Sequence, residues 1–243
     1  MGNSCCSGPG EGDNHSVGIF SQPGKVSINV TNGDINEFKA FEKPIKLGIH
    51  PAAFGVSGFK VEALGMKLQP GVQALVQKFG LYTWLPVSPG YNVGLPVYKA
   101  TMIDGFYMGQ MENGNREGKG YLHNRSGDLI ACSFEQDQPN GRGAIYFSSG
   151  DYFEGLITNG ETIEGKMTYQ DGSHYIGEMN GEGYMHGKGI LHDRDGSTRY
   201  EGTWTNNLRD GLGHQFKNEV WRNGVRVDAL PIEQQIKSPQ HHP

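Results

Sequence analysis

The sequence has few cysteines, no long apolar run and no excess of basic charge. Three cysteines occur among 243 residues, and two of them, Cys5 and Cys6, are adjacent, which excludes a disulfide-stapled fold. No stretch approaches the roughly 18 apolar residues that a membrane-spanning helix requires. The first residues lack the charged start and apolar run of a secretory signal. The formal net charge is −5 and no basic stripe is present, so we expect no nucleic-acid partner.

The motifs of common catalytic and metal sites are also missing. The sequence contains neither a P-loop nor a G-x-S-x-G nucleophile motif. Cys132 falls inside a predicted strand without an evident histidine partner. His174, His186 and His192 fall in one predicted hairpin, but scattered histidines on a solvated sheet face are far commoner than a zinc site. We therefore expect no enzyme, no cofactor and no metal.

Glycine and aromatic residues are what the chain has in abundance. It contains 38 glycines, 11 tyrosines and 11 phenylalanines, while the hydrophobic fraction is only 35%. Glycine is about twice its ordinary share, and no collagen-like triplet accompanies it. This composition favours many tight turns rather than disorder.

A repeat of short units begins just after residue 100. Its first landmark is a bulky residue followed two positions later by a small one, at Tyr107/Gly109, Ile130/Cys132, Phe153/Gly155, Tyr175/Gly177 and Tyr200/Gly202. The unit starts are separated by 23, 23, 22 and 25 residues. The second landmark is a glycine pair, at Gly118/Gly120, Gly141/Gly143, Gly187/Gly189 and Gly211/Gly213, with Gly165 alone in the third unit. The third landmark is a turn dipeptide, at Ser126-Gly127, Ser149-Gly150, Asp171-Gly172 and Asp195-Gly196.

Each unit is predicted to form one β-hairpin. Tyr107, Gly109 and Met111 alternate with polar or smaller residues, which is the period-two pattern of a strand. Asn113-Gly114 supplies the tight turn that follows. Successive hairpins would pair into a slab of ten to twelve strands, about 50–55 Å long at about 4.8 Å per strand. The in-strand glycines are predicted to leave space for the large rings of the adjoining hairpin.

These landmarks resemble the MORN (membrane occupation and recognition nexus) repeat. The nearest match is Tyr200-Glu201-Gly202-Thr203-Trp204 with Gly211-Leu212-Gly213, and the resemblance covers about residues 105–216. It weakens at Cys132 and in the shortened third unit, residues 161–166. The resemblance implies an all-β fold, an elongated single-layer antiparallel meander of hairpins. It also implies a scaffold or targeting module of the kind found in cytoskeletal, ciliary and membrane-junction assemblies.

The charge of the repeats bears on the kind of partner. Residues 106–226 hold 12 Lys/Arg and 17 Asp/Glu, a balance of −5 that disfavours anionic lipid headgroups. A protein partner, such as a helix laid across the aromatic face, fits this charge better.

The N-terminus resembles a signal for fatty acylation. Gly2 would be exposed by removal of Met1, and Cys5 and Cys6 lie beside it as palmitoylation sites. One myristoyl chain binds a membrane only marginally, so stable anchoring needs a second signal. Residues 7–24 contain no Lys or Arg, so that signal would have to be acyl. The alternative is a disordered tail with two incidental cysteines.

The remaining segments complete the predicted organisation. Residues 1–16 are expected to be a flexible acylated tail, 17–100 a cap or docking region, 101–226 the repeat sheet and 227–243 a disordered tail. Within the cap region, Lys25 to Val30 alternates like a strand, and the apolar spacing after Pro70-Gly71 predicts a short helix that Gly80 ends. The cap would pack onto the first repeat and cover its open edge. A docking segment that orders on a partner is the alternative.

Two functions are compatible with these features. The first is a non-catalytic scaffold whose sheet binds a protein while acyl chains tether it to the cytoplasmic face of a membrane. The second is a structural component of a cytoskeletal, ciliary or flagellar assembly that needs no lipid anchor.

Overall fold

A computed structural model describes residues 43–84, 94–214 and 219–226 of the chain. Their strands form one antiparallel sheet of 14 strands, and each strand pairs with the next one along the chain. The predicted all-β, single-layer meander of hairpins, with one short α-helix before the repeats, is therefore confirmed. The predicted strand from Lys25 to Val30 lies outside the described residues.

The strand bounds show how the repeat divides the sheet. The strands are β1 Ile45–Lys46, β2 Val97–Met102, β3 Gly105–Glu112, β4 Asn115–Asn124, β5 Leu129–Glu135, β6 Gln138–Tyr146, β7 Tyr152–Thr158, β8 Glu161–Thr168, β9 His174–Met179, β10 Met185–His192, β11 Thr198–Thr205, β12 Leu208–His214, β13 Glu219–Arg222 and β14 Val225–Arg226. The five predicted units are the pairs from β3/β4 to β11/β12. An extra strand, β2, precedes them, and the hairpin β13/β14 follows them.

Within residues 43–84, three helical segments precede β2. Two are 3-10 turns, Pro51–Ala53 and Val61–Leu64, and the third is the helix α1, Pro70–Phe79. Proline stands at the first position of α1, where its missing N–H is harmless. The N–H of Gly80 donates to the Val76 carbonyl and ends the helix, as the sequence predicts.

The two glycines of each G-x-G pair have different roles. The first glycine has a left-handed backbone, with φ of 74° at Gly118 and 58° at Gly187, next to a shift in strand register. Such a shift is a β-bulge, and glycine adopts its positive φ without steric cost. The second glycine, such as Gly120 or Gly189, has no positive φ but lies beneath an aromatic ring.

Polar side chains in the turns connect neighbouring hairpins. The carboxylate of Asp128 accepts a hydrogen bond from the backbone N–H of Ser148 (2.8 Å), one unit further along the chain. Asp137 accepts one from the N–H of Arg116 (2.8 Å) at the opposite end of the strands. The Arg116 guanidinium is only 3% exposed and also pairs with Asp104 at 2.5 Å. Both ends of the hairpin stack are thus held by hydrogen bonds between units.

The sheet has two buried clusters, one on each face. One cluster runs the length of the repeats from Tyr107 to Trp204. The other joins residues 54–84 to the opposite face of strands β2 to β7. We expected the segment before the repeats to cover the open edge of the first repeat. This expectation is wrong about where the segment lies. The segment lies on a face of several repeats, and the two-residue strand β1 pairs with the edge strand β2.

Candidate functional site

The ring face is the side of the sheet that carries Tyr107, Phe153, Tyr175 and Tyr200, and it is closed by its own side chains. The Tyr107 ring lies over Gly109 and Gly120, so that a Cβ on either glycine would collide with the ring. Its hydroxyl donates to the carbonyl of Gln110 (2.8 Å). The rings thus cover the glycines of their own hairpin. The expectation that these glycines make room for the adjoining hairpin is wrong.

The repeat glycines Gly155 and Gly177 contradict the same expectation. A Cβ on Gly155 would lie 2.6 Å from the Phe153 ring and 2.6 Å from the Cα of the glycine opposite, on the other strand of its own hairpin. A Cβ on Gly177 would lie 2.6 Å from the Tyr175 hydroxyl and 2.5 Å from the Cα of the glycine opposite. Glycine is therefore needed at both positions because of a ring two residues earlier on the same strand and because of the backbone of the paired strand. The rings of the adjoining hairpin are not the reason.

Contacts between aromatic edges and faces join one hairpin to the next on the ring face. Tyr107 meets Phe134 with ring centroids 5.3 Å apart, and Tyr175 meets Trp204 at 5.7 Å. Each pair is close to perpendicular, an arrangement that aromatic rings favour. Tyr107, Tyr175 and Tyr200 have no exposed surface. The ring face is therefore a core, and it presents none of these tyrosine rings to a partner.

The second unit departs from the pattern in two compensating ways. Ile130 stands where other units carry a ring, and Cys132 stands where they carry glycine, opposite Gly143. Since isoleucine does not reach over the glycine position, the Cys132 side chain has room there. Burial raises the pKa of the Cys132 thiol, which is fully enclosed, so the group acts as a small apolar filler.

The second face is the opposite side of the sheet, and its covered part lies over β2 to β7 beneath residues 54–84. Tyr146 is the principal anchor: its hydroxyl donates to the Gly80 carbonyl (2.7 Å) and accepts from the N–H of Tyr82 (2.7 Å). Tyr121 donates to the Tyr82 carbonyl (2.9 Å). At the far boundary, the ring of Phe79 stacks on Tyr152 with centroids 4.2 Å apart.

A buried lysine lies within the covered part. Lys119 has no exposed surface, and its ammonium donates to the Phe54 carbonyl (3.2 Å) and lies 5.8 Å from the Trp84 ring centroid. Burial lowers the pKa of Lys119 to about 8. Desolvation disfavours the charged amine, while the carbonyl and the ring face stabilise it.

The open part of the second face lies on strands β7 to β11, next to the covered part. In the register of these strands, Glu154, Lys166, Ile176, Ile190 and Glu201 form one row across the sheet. Ile176 is 44% exposed, and Ile190 beside it is half-buried. Neither isoleucine belongs to the buried cluster that residues 54–84 form with the covered part.

The charges around the isoleucines are mostly negative. A second row on the same face runs from Leu156 through Glu164 and Glu178 to Lys188. The two rows together carry four glutamates, residues 154, 164, 178 and 201, against two lysines, residues 166 and 188. Glu164 also pairs with Arg142 at 3.8 Å, but both groups are well exposed. The open part is thus an apolar patch within a net negative rim.

Two histidines form a third row on the open part. The rings of His174 and His192 stack with centroids 4.6 Å apart. Burial, then Lys166 and His192, lower the pKa of His174, so the imidazole stays neutral near pH 7. His186, the third histidine of this hairpin, is exposed on β10. Among the described residues no three metal-ligating side chains come together.

The structure places the predicted repeat residues in one fold but leaves the predicted lipidation residues undescribed. Gly2, Cys5 and Cys6 lie outside the described residues. The repeat glycines and rings lie on β3 to β12, where they form bulges and the ring face. No helix of the described chain is long and apolar enough to span a bilayer.

The sequence interpretation overlooked three residues of the covered part, Tyr121, Tyr146 and Lys119. Their hydrogen-bond partners are 39 to 66 residues away along the chain.

An open antiparallel sheet of hairpin repeats, with glycines beneath tyrosines, places the protein among the repeat proteins built from β-hairpins. Comparison with family models identifies the repeat as the MORN repeat, which matches residues 107–129, 133–152, 175–198 and 200–218. The chain therefore carries MORN repeats in these four segments. The unmatched interval contains the third unit, where the resemblance was weakest, although β7 and β8 still form a hairpin there. No curated protein matches the chain.

Proposed function

We propose that the protein is a scaffold whose repeat sheet binds a protein partner and whose acylated N-terminus tethers it to the cytoplasmic face of a membrane. Proteins built from MORN repeats are generally non-catalytic scaffolds, bound to proteins or associated with membranes. The observation that supports partner binding is the open part of the second face, where Ile176 is 44% exposed on the sheet. Single exposed apolar residues are ordinary, but Ile176 and Ile190 are direct neighbours on paired strands.

The tether rests on the sequence of the N-terminus. Gly2, Cys5 and Cys6 would carry one myristoyl and up to two palmitoyl chains. The sheet itself is negatively charged, so the acyl chains must supply the attraction to an anionic membrane.

Labelling with a myristate analogue tests the tether directly. In eukaryotic cells, the full chain should incorporate the label and sediment with membranes, and Gly2→Ala should lose both properties. The matched double variant Cys5→Ser/Cys6→Ser should keep the label but bind membranes only weakly, because one chain gives an association constant of about 10⁴ M⁻¹. Membrane attachment that survives in Gly2→Ala, or that high salt removes, would contradict the acyl tether.

The same experiment separates the second candidate. A component of a cytoskeletal or ciliary assembly would stay insoluble after detergent extraction, whether or not Gly2 is present. Detergent-soluble wild-type protein that carries the label supports the tethered scaffold.

A further inference from the structure

We propose that the open part of the second face is the docking surface for a basic amphipathic helix of the partner protein. This inference rests on the proposed scaffold function and specifies where the partner binds and what chemistry it presents. The surface consists of Ile176 and Ile190 at the centre, with Glu154, Glu178, Glu201 and the exposed Lys166 around them.

The covered part of the same face shows how the sheet accepts a helix. There α1 lies on β6 and β7, with Val72, Leu75 and Val76 buried and Phe79 stacked on Tyr152. The open part continues this face in the same antiparallel sheet, with Glu154, Lys166 and Ile176 directly opposite one another on successive strands. A second helix can therefore lie on it in the same way, next to the exposed edge of Phe79.

The size of the surface fits a short helix. The row from Glu154 on β7 to Glu201 on β11 crosses four strand spacings, which is about 19 Å at about 4.8 Å each. A helix of about 13 residues has that length at 1.5 Å per residue. Its apolar stripe would contact the two isoleucines, and its flanks would lie over the glutamates at both ends.

The charges of the open part favour a basic partner over an anionic membrane. The four glutamates of the two rows, with two lysines and with Arg142 paired to Glu164, leave a net charge of −1 before any partner binds. Lysines or arginines beside an apolar stripe would pair with these exposed carboxylates and speed association. An anionic lipid surface would be repelled by the same groups.

The test uses synthetic peptides and the full-length chain. One peptide of about 14 residues carries leucines on one helical face and lysines on the other; a second replaces the lysines with glutamates. We expect the basic peptide to bind with salt-dependent affinity and the acidic peptide not to bind. Ile176→Lys should weaken binding of the basic peptide about tenfold, as truncating a central interface residue does.

A matched variant separates docking from general attraction to an acidic protein. Leu208 is exposed to the same extent as Ile176, 44%, but lies at the turn of the last full unit. Leu208→Lys adds the same charge and should leave binding unchanged. Since Ile176→Lys could disturb the sheet, the double variant Glu154→Gln/Glu201→Gln gives a second test and should reduce both affinity and its salt dependence.

Several results would overturn this inference. Equal losses in Ile176→Lys and Leu208→Lys would show unspecific charge attraction. Binding that appears only after residues 227–243 are removed would show that the chain covers this surface itself, and competition by anionic vesicles would show a lipid site. If the peptide fails while a photocrosslinker elsewhere on the repeats captures a discrete protein in cells, the docking surface is wrong and the scaffold function stands.

Discussion

A methyl group placed on Gly189 should destabilise the protein because the Tyr175 ring occupies that space. The three atoms nearest to a Cβ at Gly189 are the hydroxyl oxygen, Cε2 and Cζ of Tyr175, all closer than real Cβ atoms come to any neighbour. The ring cannot easily withdraw, since its hydroxyl contacts the carbonyls of Glu178 (2.8 Å) and His186 (3.2 Å). The Gly189 backbone is not left-handed, so the cost comes from crowding and not from backbone strain.

The magnitude follows from overpacking a filled site. Gly189→Ala should lower the free energy of unfolding by about 1–3 kcal/mol. In a Tyr175→Ile background these three ring atoms are gone while the backbone of the paired strand stays close, so Gly189→Ala should cost less there than in the wild type. Tyr175→Ile removes the hydrogen bonds of the tyrosine hydroxyl both with glycine and with alanine at position 189. This loss therefore cancels in the coupling energy of the double-mutant cycle. The coupling between the two positions should therefore be at least about 1 kcal/mol.

Urea titration of the wild type, both single variants and the double variant measures this coupling. The transitions should be followed by far-UV circular dichroism and by tryptophan fluorescence, and compared only where the m-values agree. Gly48→Ala is the control, because nothing lies within 4 Å of a Cβ there, and it should change stability by less than about 0.5 kcal/mol. Equal costs of Gly189→Ala in both backgrounds would refute the steric role assigned to the tyrosine.

Three further predictions concern the covered part and the turns. The pKa of Lys119 is about 8 in the folded chain against 10.5 in the unfolded one, so the unfolded chain binds more protons between these values. The unfolding free energy should therefore rise from pH 8 to pH 10 relative to Lys119→Met, as denaturant titrations can show. Tyr146→Phe should cost about 1–3 kcal/mol and speed hydrogen exchange in residues 70–84. Arg116→Gln should cost about 3 kcal/mol in thermal unfolding because it leaves the Asp104 carboxylate buried without its charge partner. Arg199→Gln, at a more exposed ion pair, should cost less than about 1 kcal/mol.

The repeat and its turns could be predicted from sequence because their signals are local. Asn113-Gly114 forms a turn with positive φ at both residues, as the dipeptide predicts. The bounds of α1 follow from Pro70 and Gly80, which start and stop it at fixed positions.

The arrangement of the two faces could not be predicted because it depends on distant contacts. The hydroxyl of Tyr146 holds residues 64 and 66 positions earlier in the chain, and nothing in the local pattern distinguishes this tyrosine from one on the ring face. Lys119 sits between two glycines of a strand, where an exposed lysine would be the ordinary expectation. Which ring covers which glycine likewise depends on how far each ring reaches along its strand, as Gly155 and Gly177 illustrate.

Methyl NMR of isoleucine-labelled protein tests the central claim, that the open part of the second face is the binding surface, most directly. On titration with the basic amphipathic peptide, the δ1 methyl signals of Ile176 and Ile190 should shift. Those of Ile145 and Ile157, which are 2% and 0% exposed in the ring-face cluster, should stay in place. Shifts at the ring-face methyls with none at Ile176 and Ile190 would contradict the account.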